Sequence, residues 1–115
     1  MSAGIANVII DQGADWIISF VYEDAAGDVI TLTGYTANLQ LRTSYSAASA
    51  SLSLSVGSGI TITANTGTIA VRATATQTGA LAAGDYVYDL ELTSPAGIVT
   101  RLVEGRATVT PQVTR

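Results

Sequence analysis

Strict two-residue alternation is the feature that most limits what this chain can fold into. Within "DYVYDLEL" (Asp85–Leu92), tyrosine or leucine occupies every even position, and an acidic residue or valine occupies every odd one. Successive side chains of a β-strand point to opposite faces, so this segment predicts a strand with one buried face and one acidic, solvated face. The preceding "LAAG" is a turn signal.

Turn-forming residues interrupt the rest of the chain about every 8–12 residues, the spacing typical of an all-β sandwich. Alternating or apolar stretches between these turns predict an antiparallel β-sandwich of about 7–9 strands. One short helical turn is expected within "ATQTGALAAG". The predicted strands lie in "IANVII", "DWIISFVYE", "VITLTGY", "TANLQLRTS", "SLSLSV", "ITIT", "TIAVRAT", "DYVYDLELT" and "GIVTRLVEGRATVT".

Two of these strands, one turn and one proline carry more specific expectations. "DWIISFVYE" has apolar residues at both parities, which predicts a strand covered on both faces. "SLSLSV" (Ser51–Val56) predicts an exposed or edge strand, and "DAAGD" (Asp24–Asp28) predicts a turn. Pro111 should end the last strand, because proline cannot donate to a ladder.

Length and composition predict one folded domain. The 115 residues are 48% hydrophobic, which argues against disorder. We expect a single domain over 1–115, with 1–14 as an N-terminal arm or first strand and 111–115 as a short tail. We predict neither a secretory signal nor a membrane-spanning segment, since no suitable apolar run is present.

The charge pattern argues against a nucleic-acid partner. The net charge is −4, and the five basic residues are scattered arginines. Binding to a phosphate backbone needs clustered cations, so nucleic acid is not expected as a partner.

Few residue types capable of catalysis are present. The chain has no cysteine, histidine or lysine, so nucleophilic triads, thiolate metal sites and Schiff bases are excluded. A carboxylate pair among Asp85, Asp89 and Glu91 remains the only enzymatic option, although the same row describes a solvated strand face. Glu23 and Asp24 are adjacent and would point to opposite faces. We therefore predict a protein that is not an enzyme and has no catalytic residues.

Metal and cofactor sites are not expected either. Asp24 and Asp28 bracket a turn and could chelate a hard cation, but they lack the spacing of a calcium-binding loop. Ordinary turn aspartates explain the pair better. The glycines are spread over turns without a nucleotide-binding spacing, so no cofactor is predicted.

Aromatic residues are assigned first to the core. In immunoglobulin-like sandwiches a tyrosine near the start of the penultimate strand bonds back to the preceding corner. Tyr86 or Tyr88 suits that role, and Trp16 lies within an apolar strand. Tyr35 and Tyr45 are the aromatics left for ligand stacking.

The order of several segments resembles a known family. "DWIISFVYEDAAGDVITLTGYTANLQLR", "TGTIAVRAT", "LAAGDYVYDLEL" and "GIVTRLVEGRATVTPQVT" follow one another between Trp16 and Thr114. This succession resembles the small immunoglobulin-like domains of tailed-bacteriophage virions, including the amino-terminal domain of baseplate upper-protein-like chains. The resemblance implies an immunoglobulin-like β-sandwich that is assembled in the host cytoplasm and located in the virion.

Three functions are expected from this resemblance and from the residues. The first is a structural protein of the baseplate, tail or fibre attachment. Its expected partners are other virion proteins or, as an alternative that stays open, copies of itself in a trimer or hexameric ring. We expect no fibre or receptor-binding region beyond "TPQVTR", and this expectation favours an adaptor or a capsid decoration protein. The second is a carbohydrate-binding or host-adhesion module that uses Tyr35 and Tyr45. The third is a carboxylate enzyme that uses Asp89 and Glu91.

Two segments could join this chain to a neighbour by strand addition. "IANVII" and "SLSLSV" are apolar or alternating stretches that fit such pairing. The alternative is that both complete the sheet of their own chain.

Overall fold

The protein is all-β in the computed structural model, which describes residues 3–114. Met1, Ser2 and Arg115, the outermost residues of the predicted arm and tail, lie outside the described part. One short helix, α1 (Ala75–Gly79), confirms the expected helical turn. The strands are β1 (Gly4–Ile5), β2 (Val8–Asp11), β3 (Trp16–Val21), β4 (Thr36–Arg42), β5 (Leu52–Val56), β6 (Gly59–Thr63), β7 (Thr68–Ala73), β8 (Gly84–Thr93) and β9 (Val99–Thr110).

The strands form one curled sheet in the order β1-β9-β8-β4-β5-β6-β7-β3, and β2 also pairs with β9. Pairing is parallel where β1 and β2 meet β9 and where β5 meets β6, and antiparallel elsewhere. The β5–β6 link is short, with only Ser55 opposite Gly59 and Val56 opposite Ile60. Apolar side chains from the strands before and after this link pack in one core, because the curled sheet encloses them.

The core contains the even positions of the alternating segment. All four of these side chains in β8 are at most 6% exposed, which confirms the predicted buried face. Full burial of a leucine or a similar side chain stabilises by about 1.5–3 kcal/mol. The buried apolar residues are Val8, Ile10, Trp16, Leu32, Ala37, Leu39, Leu41, Leu52, Leu54, Ile60, Ile69, Val71, Ala73, Leu81, Tyr86, Tyr88, Leu90, Leu92, Val103, Ala107 and Val109.

Two of the strand expectations are wrong. "VITLTGY" is not a strand, because its only ladder contact is an isolated bridge between Glu23 and Val29. The segment instead folds back beside the β6–β7 turn, where Leu32 N–H donates to the Ala64 carbonyl at 3.0 Å and Leu32 is buried. β3 is covered on one face only, since Ile17 is 68% exposed on the other.

Other expectations at the ends of strands are confirmed. β5 pairs with β4 from Leu52 to Ser55 and meets β6 only at its end, so its first part is an edge. In the "DAAGD" turn, the Asp24 carboxylate accepts from the N–H groups of Ala26 and Asp28 at 2.9 and 3.0 Å. β9 ends directly before Pro111.

Tyr86 closes the corner before β8. Its hydroxyl donates to the carbonyl of Ala82 at 2.6 Å, four residues upstream, while the ring is buried. The structural role predicted for Tyr86 is therefore confirmed. Trp16 is 7% exposed, so its place in the core is confirmed as well.

Tyr88 holds the N-terminal segment instead of the corner. Its hydroxyl donates to the carbonyl of Ala6 at 2.6 Å, at the break between β1 and β2. Asn7 fills the gap in the ladder, because its side-chain oxygen accepts from Arg106 N–H at 3.0 Å. Gly105 lies opposite Tyr88, and a Cβ there would collide with the Ala6 carbonyl. Only glycine permits the main chain at Ala6 to come this close to β9. Gly105 therefore allows the N-terminal strands to dock on β9.

The β2–β3 turn is fastened to α1. Asp15 accepts from the Ala75 N–H at 2.7 Å and from Arg72 at 2.7 Å, and these bonds lower the pKa of the Asp15 carboxyl. Thr78 is fully buried, donates to the Ala14 carbonyl at 2.8 Å and accepts from Gly13 N–H at 3.1 Å. The helix therefore anchors the loop that joins the two edges of the sheet.

We expect Tyr88→Phe to lower the free energy of unfolding at pH 7 by about 1 kcal/mol, because the Ala6 carbonyl loses its donor. Burial raises the pKa of the Tyr88 phenol above its usual value near 10, so the neutral form is favoured in the folded state. Stability from this group is complete below about pH 10 and is lost as the pH rises further.

Urea unfolding from pH 7 to 11 measures both effects, and the variant should lose less stability above pH 10 than the natural chain. Tyr45→Phe is the control at pH 7, since Tyr45 is 83% exposed. Identical profiles for Tyr88→Phe and the natural chain would contradict the assigned role of the hydroxyl.

Candidate functional site

The outer face of the sheet carries rows of polar side chains across β4, β8 and β9. Register places Gln40 opposite Asp89 and Asp89 opposite Glu104, and it places Arg42 beside Val87 in the next row. Their inward neighbours on each strand are apolar and buried, so alternation forces these side chains outward. Asp85, Asp89 and Glu91 lie on this face, as the sequence predicts.

A β-bulge adds a cation to the acidic row. Register shifts between Leu90 and Glu91, because Leu90 faces Val103 while Glu91 faces Arg101, which leaves Leu102 unpaired. The extra residue places Arg101 and Glu104 on the same face although they are three positions apart.

Arg101 joins two carboxylates on this face. Its guanidinium lies 3.0 Å from the Glu104 carboxylate and 3.3 Å from that of Asp89. The hydrogen bond to Glu104 and the charge of Asp89 raise the pKa of the Arg101 guanidinium above its ordinary value. Exposed pairs of this kind contribute about 0–1 kcal/mol, so they order the surface more than they stabilise the fold.

These side chains surround a shallow concavity of about 270 Å³, here called the outer groove. Its walls combine charged, amide and aromatic groups. The lining residues are Gln40, Arg42, Tyr45, Val87, Tyr88, Asp89, Glu91, Arg101 and Glu104.

The loop after β4 brings Tyr45 to the outer groove. Arg42 donates to the Ala47 carbonyl at 2.9 Å and to the Gln40 side-chain oxygen at 2.9 Å, so one guanidinium ties the loop to the strand. Tyr45 itself is 83% exposed. An exposed aromatic ring is therefore positioned beside fixed hydrogen-bonding groups.

The structure separates the two tyrosines predicted for ligand stacking. Tyr35 is half-buried and packs against the core, whereas Tyr45 lines the outer groove. Asp24 and Asp28 remain together in their turn, away from the groove residues. No cluster of three or more residues able to hold a metal occurs within residues 3–114.

Sequence reasoning missed four of the groove residues. Gln40 and Arg42 occupy the outward positions of "TANLQLR", so the alternation of that strand could have identified them. The shared face of Arg101 and Glu104 depends on the bulge, which no local sequence pattern predicts. The chemistry available is polar recognition by charged and amide groups beside an aromatic ring.

Exposed apolar side chains also lie on the strands at both ends of the strand order. Ile5 and Ile9 protrude from β1 and β2, and Ile17 and Val21 protrude from β3. All four are at least half exposed. Large apolar side chains at strand edges are unusual on a monomeric surface and mark interaction sites when they are contiguous.

Comparison with known proteins found no match, either to a family model or to a curated protein. Among residues 3–114, no helix is both long enough and apolar enough to span a membrane.

We expect Arg42→Ala to release the loop that carries Tyr45. The Ala47 carbonyl loses its donor, so amide hydrogen exchange over residues 43–50 should speed up by about tenfold. Arg106→Ala is the matched control, because Arg106 is exposed and lies 4.0 Å from Asp85. Equal exchange in the two variants would show that Arg42 does not hold the loop.

Proposed function

We propose that the chain is a non-enzymatic structural protein of a tailed-bacteriophage virion. In this proposal it contributes an immunoglobulin-like β-sandwich to the baseplate, tail or fibre attachment. Its role is assembly: strand edges and loops dock on neighbouring subunits, and repeated copies multiply weak contacts into stable attachment.

The strand order supports an immunoglobulin-like arrangement. At the short β5–β6 link the order divides into β2-β9-β8-β4-β5 and β6-β7-β3. This division supports the proposal that the two groups are the two sheets of an immunoglobulin-like sandwich, with β5 as an added strand beside β4. β2 lies beside β9, whereas a constant-type domain places its first strand in the other sheet. The Tyr86 bond to Ala82 at the start of the penultimate strand is the corner feature of such domains. The chain departs from antibody domains in lacking cysteine and in carrying its tryptophan on β3.

The assembly role depends on the exposed apolar side chains at the ends of the sheet. Ile9 and Ile17 are both 68% exposed, and Ile5 is 79% exposed. Covering such side chains is favourable at about 25 cal/mol per Å², which gives neighbouring subunits a reason to dock there. A capsid decoration protein would use the same surface at another place on the particle.

The test is the protein content of gradient-purified particles from the phage that encodes this chain. The chain should appear at a fixed ratio to the major capsid protein, as measured by quantitative mass spectrometry. A replication protein of the same phage serves as the control and should be removed by the purification. Recovery of the chain only in the soluble lysate would refute the virion role.

Carbohydrate binding is a second candidate function, and the position of Tyr45 favours it. Sugar sites commonly combine a stacking ring with planar carboxylate, amide or guanidinium groups, and the outer groove holds all of these. In this reading the protein holds the particle against glycans of the host surface. The carboxylates Asp89 and Glu91 would then accept hydrogen bonds from sugar hydroxyls and not act as catalysts.

A glycan array compared across Tyr45 variants separates this function from pure assembly. Tyr45→Ala should weaken retention by about two- to tenfold, since ring stacking contributes about 0.5–1.5 kcal/mol, while Tyr45→Phe should retain most binding. Ile98→Ala controls for loss of another exposed large side chain. Absence of retained glycan, or retention that is indifferent to Tyr45, would eliminate the second function.

A further inference from the structure

The outer edge of β3 is open. Among the described residues, β3 pairs only with β7 and ends the strand order. The Tyr22 N–H donates to the Gly67 carbonyl at 2.8 Å, so even-numbered residues direct their main-chain groups toward β7. The N–H and C=O groups of Ile17, Ser19 and Val21 therefore face away from the sheet.

The loop that follows β3 does not cover this edge. Ile30 N–H donates to the Tyr22 carbonyl at 2.9 Å, which places the returning chain on the β7 side. Within residues 3–114, no hydrogen bond occupies the outward groups of Ile17, Ser19 or Val21.

β3 also lacks the usual protection of an edge strand. Proteins blunt such edges with charges, proline or bulges. Trp16–Val21 contains no charged residue and no proline, and its register with β7 is unbroken. At the opposite end of the sheet, the edge is interrupted at Ala6–Asn7 and finishes in Asp11.

We propose that β3 pairs with β3 of a second copy of this chain, antiparallel about a two-fold axis at Ser19. In this register Ser19 faces its own copy, and Ile17 faces Val21 of the second copy. These are the residues whose main-chain groups point outward, so both positions become hydrogen-bonded pairs. The interface is isologous and closes as a dimer.

The side chains fit this register on both faces. On the outer face, Ile17 and Val21 of opposite copies form apolar pairs on either side of the small Ser19. On the inner face, Ile18 lies opposite Phe20, and both are only partly buried in the single chain. The paired segment Trp16–Val21 has no charged side chain, so the strand itself buries no charge. Cross-strand contacts with the second copy would shield the flanks of apolar side chains on both faces of this strand.

This inference deepens the proposed assembly role by naming one partner, a second copy. It concerns the purified chain alone, whereas the virion role is tested on particles. The purified chain can prove monomeric even if the chain is found in virions, and it can prove dimeric even if it is absent from them. The two failures are therefore distinguishable.

The first experiment measures the dimer dissociation constant by sedimentation equilibrium over a wide concentration range. The natural chain should sediment as a concentration-dependent dimer, and Ile17→Lys should raise the dissociation constant by at least about tenfold through loss of an apolar pair and charge at the interface. Ile98→Lys is the matched control, because Ile98 is also an isoleucine, with 66% exposure, but lies in the loop between β8 and β9. It should leave the dissociation constant unchanged.

The second experiment tests the register. The chain has no cysteine, so Ser19→Cys introduces its only thiol. A hydrogen-bonded antiparallel pair has Cα atoms about 5.5 Å apart, which is within disulfide range. Ser19→Cys should form a covalent dimer under mild oxidation far faster than Ser53→Cys, which places a thiol on the outer face of β5.

Three results would overturn the proposal. They are a monomer at every concentration, equal weakening by Ile17→Lys and Ile98→Lys, and equal crosslinking of the two cysteine variants. A monomer that instead binds an extended segment of another virion protein along β3 would assign this edge to that protein.

Discussion

The two-sided character of β8 is the constraint on which the rest of the structure depends. This strand pairs with β9 along its whole length and with β4 on the other side. Its inner face buries two tyrosines and two leucines, and its outer face is acidic. A shift of one residue in either pairing would bury aspartates and expose the core, so hydrophobic burial sets the register of the sheet. The two tyrosine hydroxyls then find main-chain acceptors, one at the preceding corner and one in the N-terminal segment.

The outer groove is a consequence of this register and of one irregularity. Alternation alone would line the outer face with acids, which repel one another when exposed side by side. The bulge at Leu102 turns Arg101 toward these acids and converts the row into an ion-paired surface. Arg42, one strand away, fixes the loop that carries Tyr45. Core packing holds the strands that carry the groove. The polar groups of the groove take their positions from these strands and are not needed for folding.

The two ends of the sheet differ in a way that bears on assembly. The N-terminal strands are broken, held by Tyr88 and by the close approach at Gly105, and finish in an acidic residue. β3 is regular, uncharged and open along its edge. A chain that formed no contacts with others would gain from blunting this edge, because open apolar strands associate. The open, uncharged edge of β3 is therefore the physical basis for the assembly role proposed for the protein.

Much of the fold could be predicted, because strand identity and facing are local properties. Alternation in "TANLQLR" and "DYVYDLEL", the turn in "DAAGD" and the stop at Pro111 each follow from the geometry of a few neighbouring residues. By itself the sequence determined the all-β class, the buried face of most strands and the absence of thiol, imidazole and amine chemistry. Only the tertiary structure decided that "VITLTGY" would form a loop around Leu32, that Tyr45 and not Tyr35 would reach the groove, and that Arg101 would join Asp89. These outcomes depend on which strands lie side by side and on where one extra residue interrupts a ladder, and both are set by packing between segments far apart in the chain.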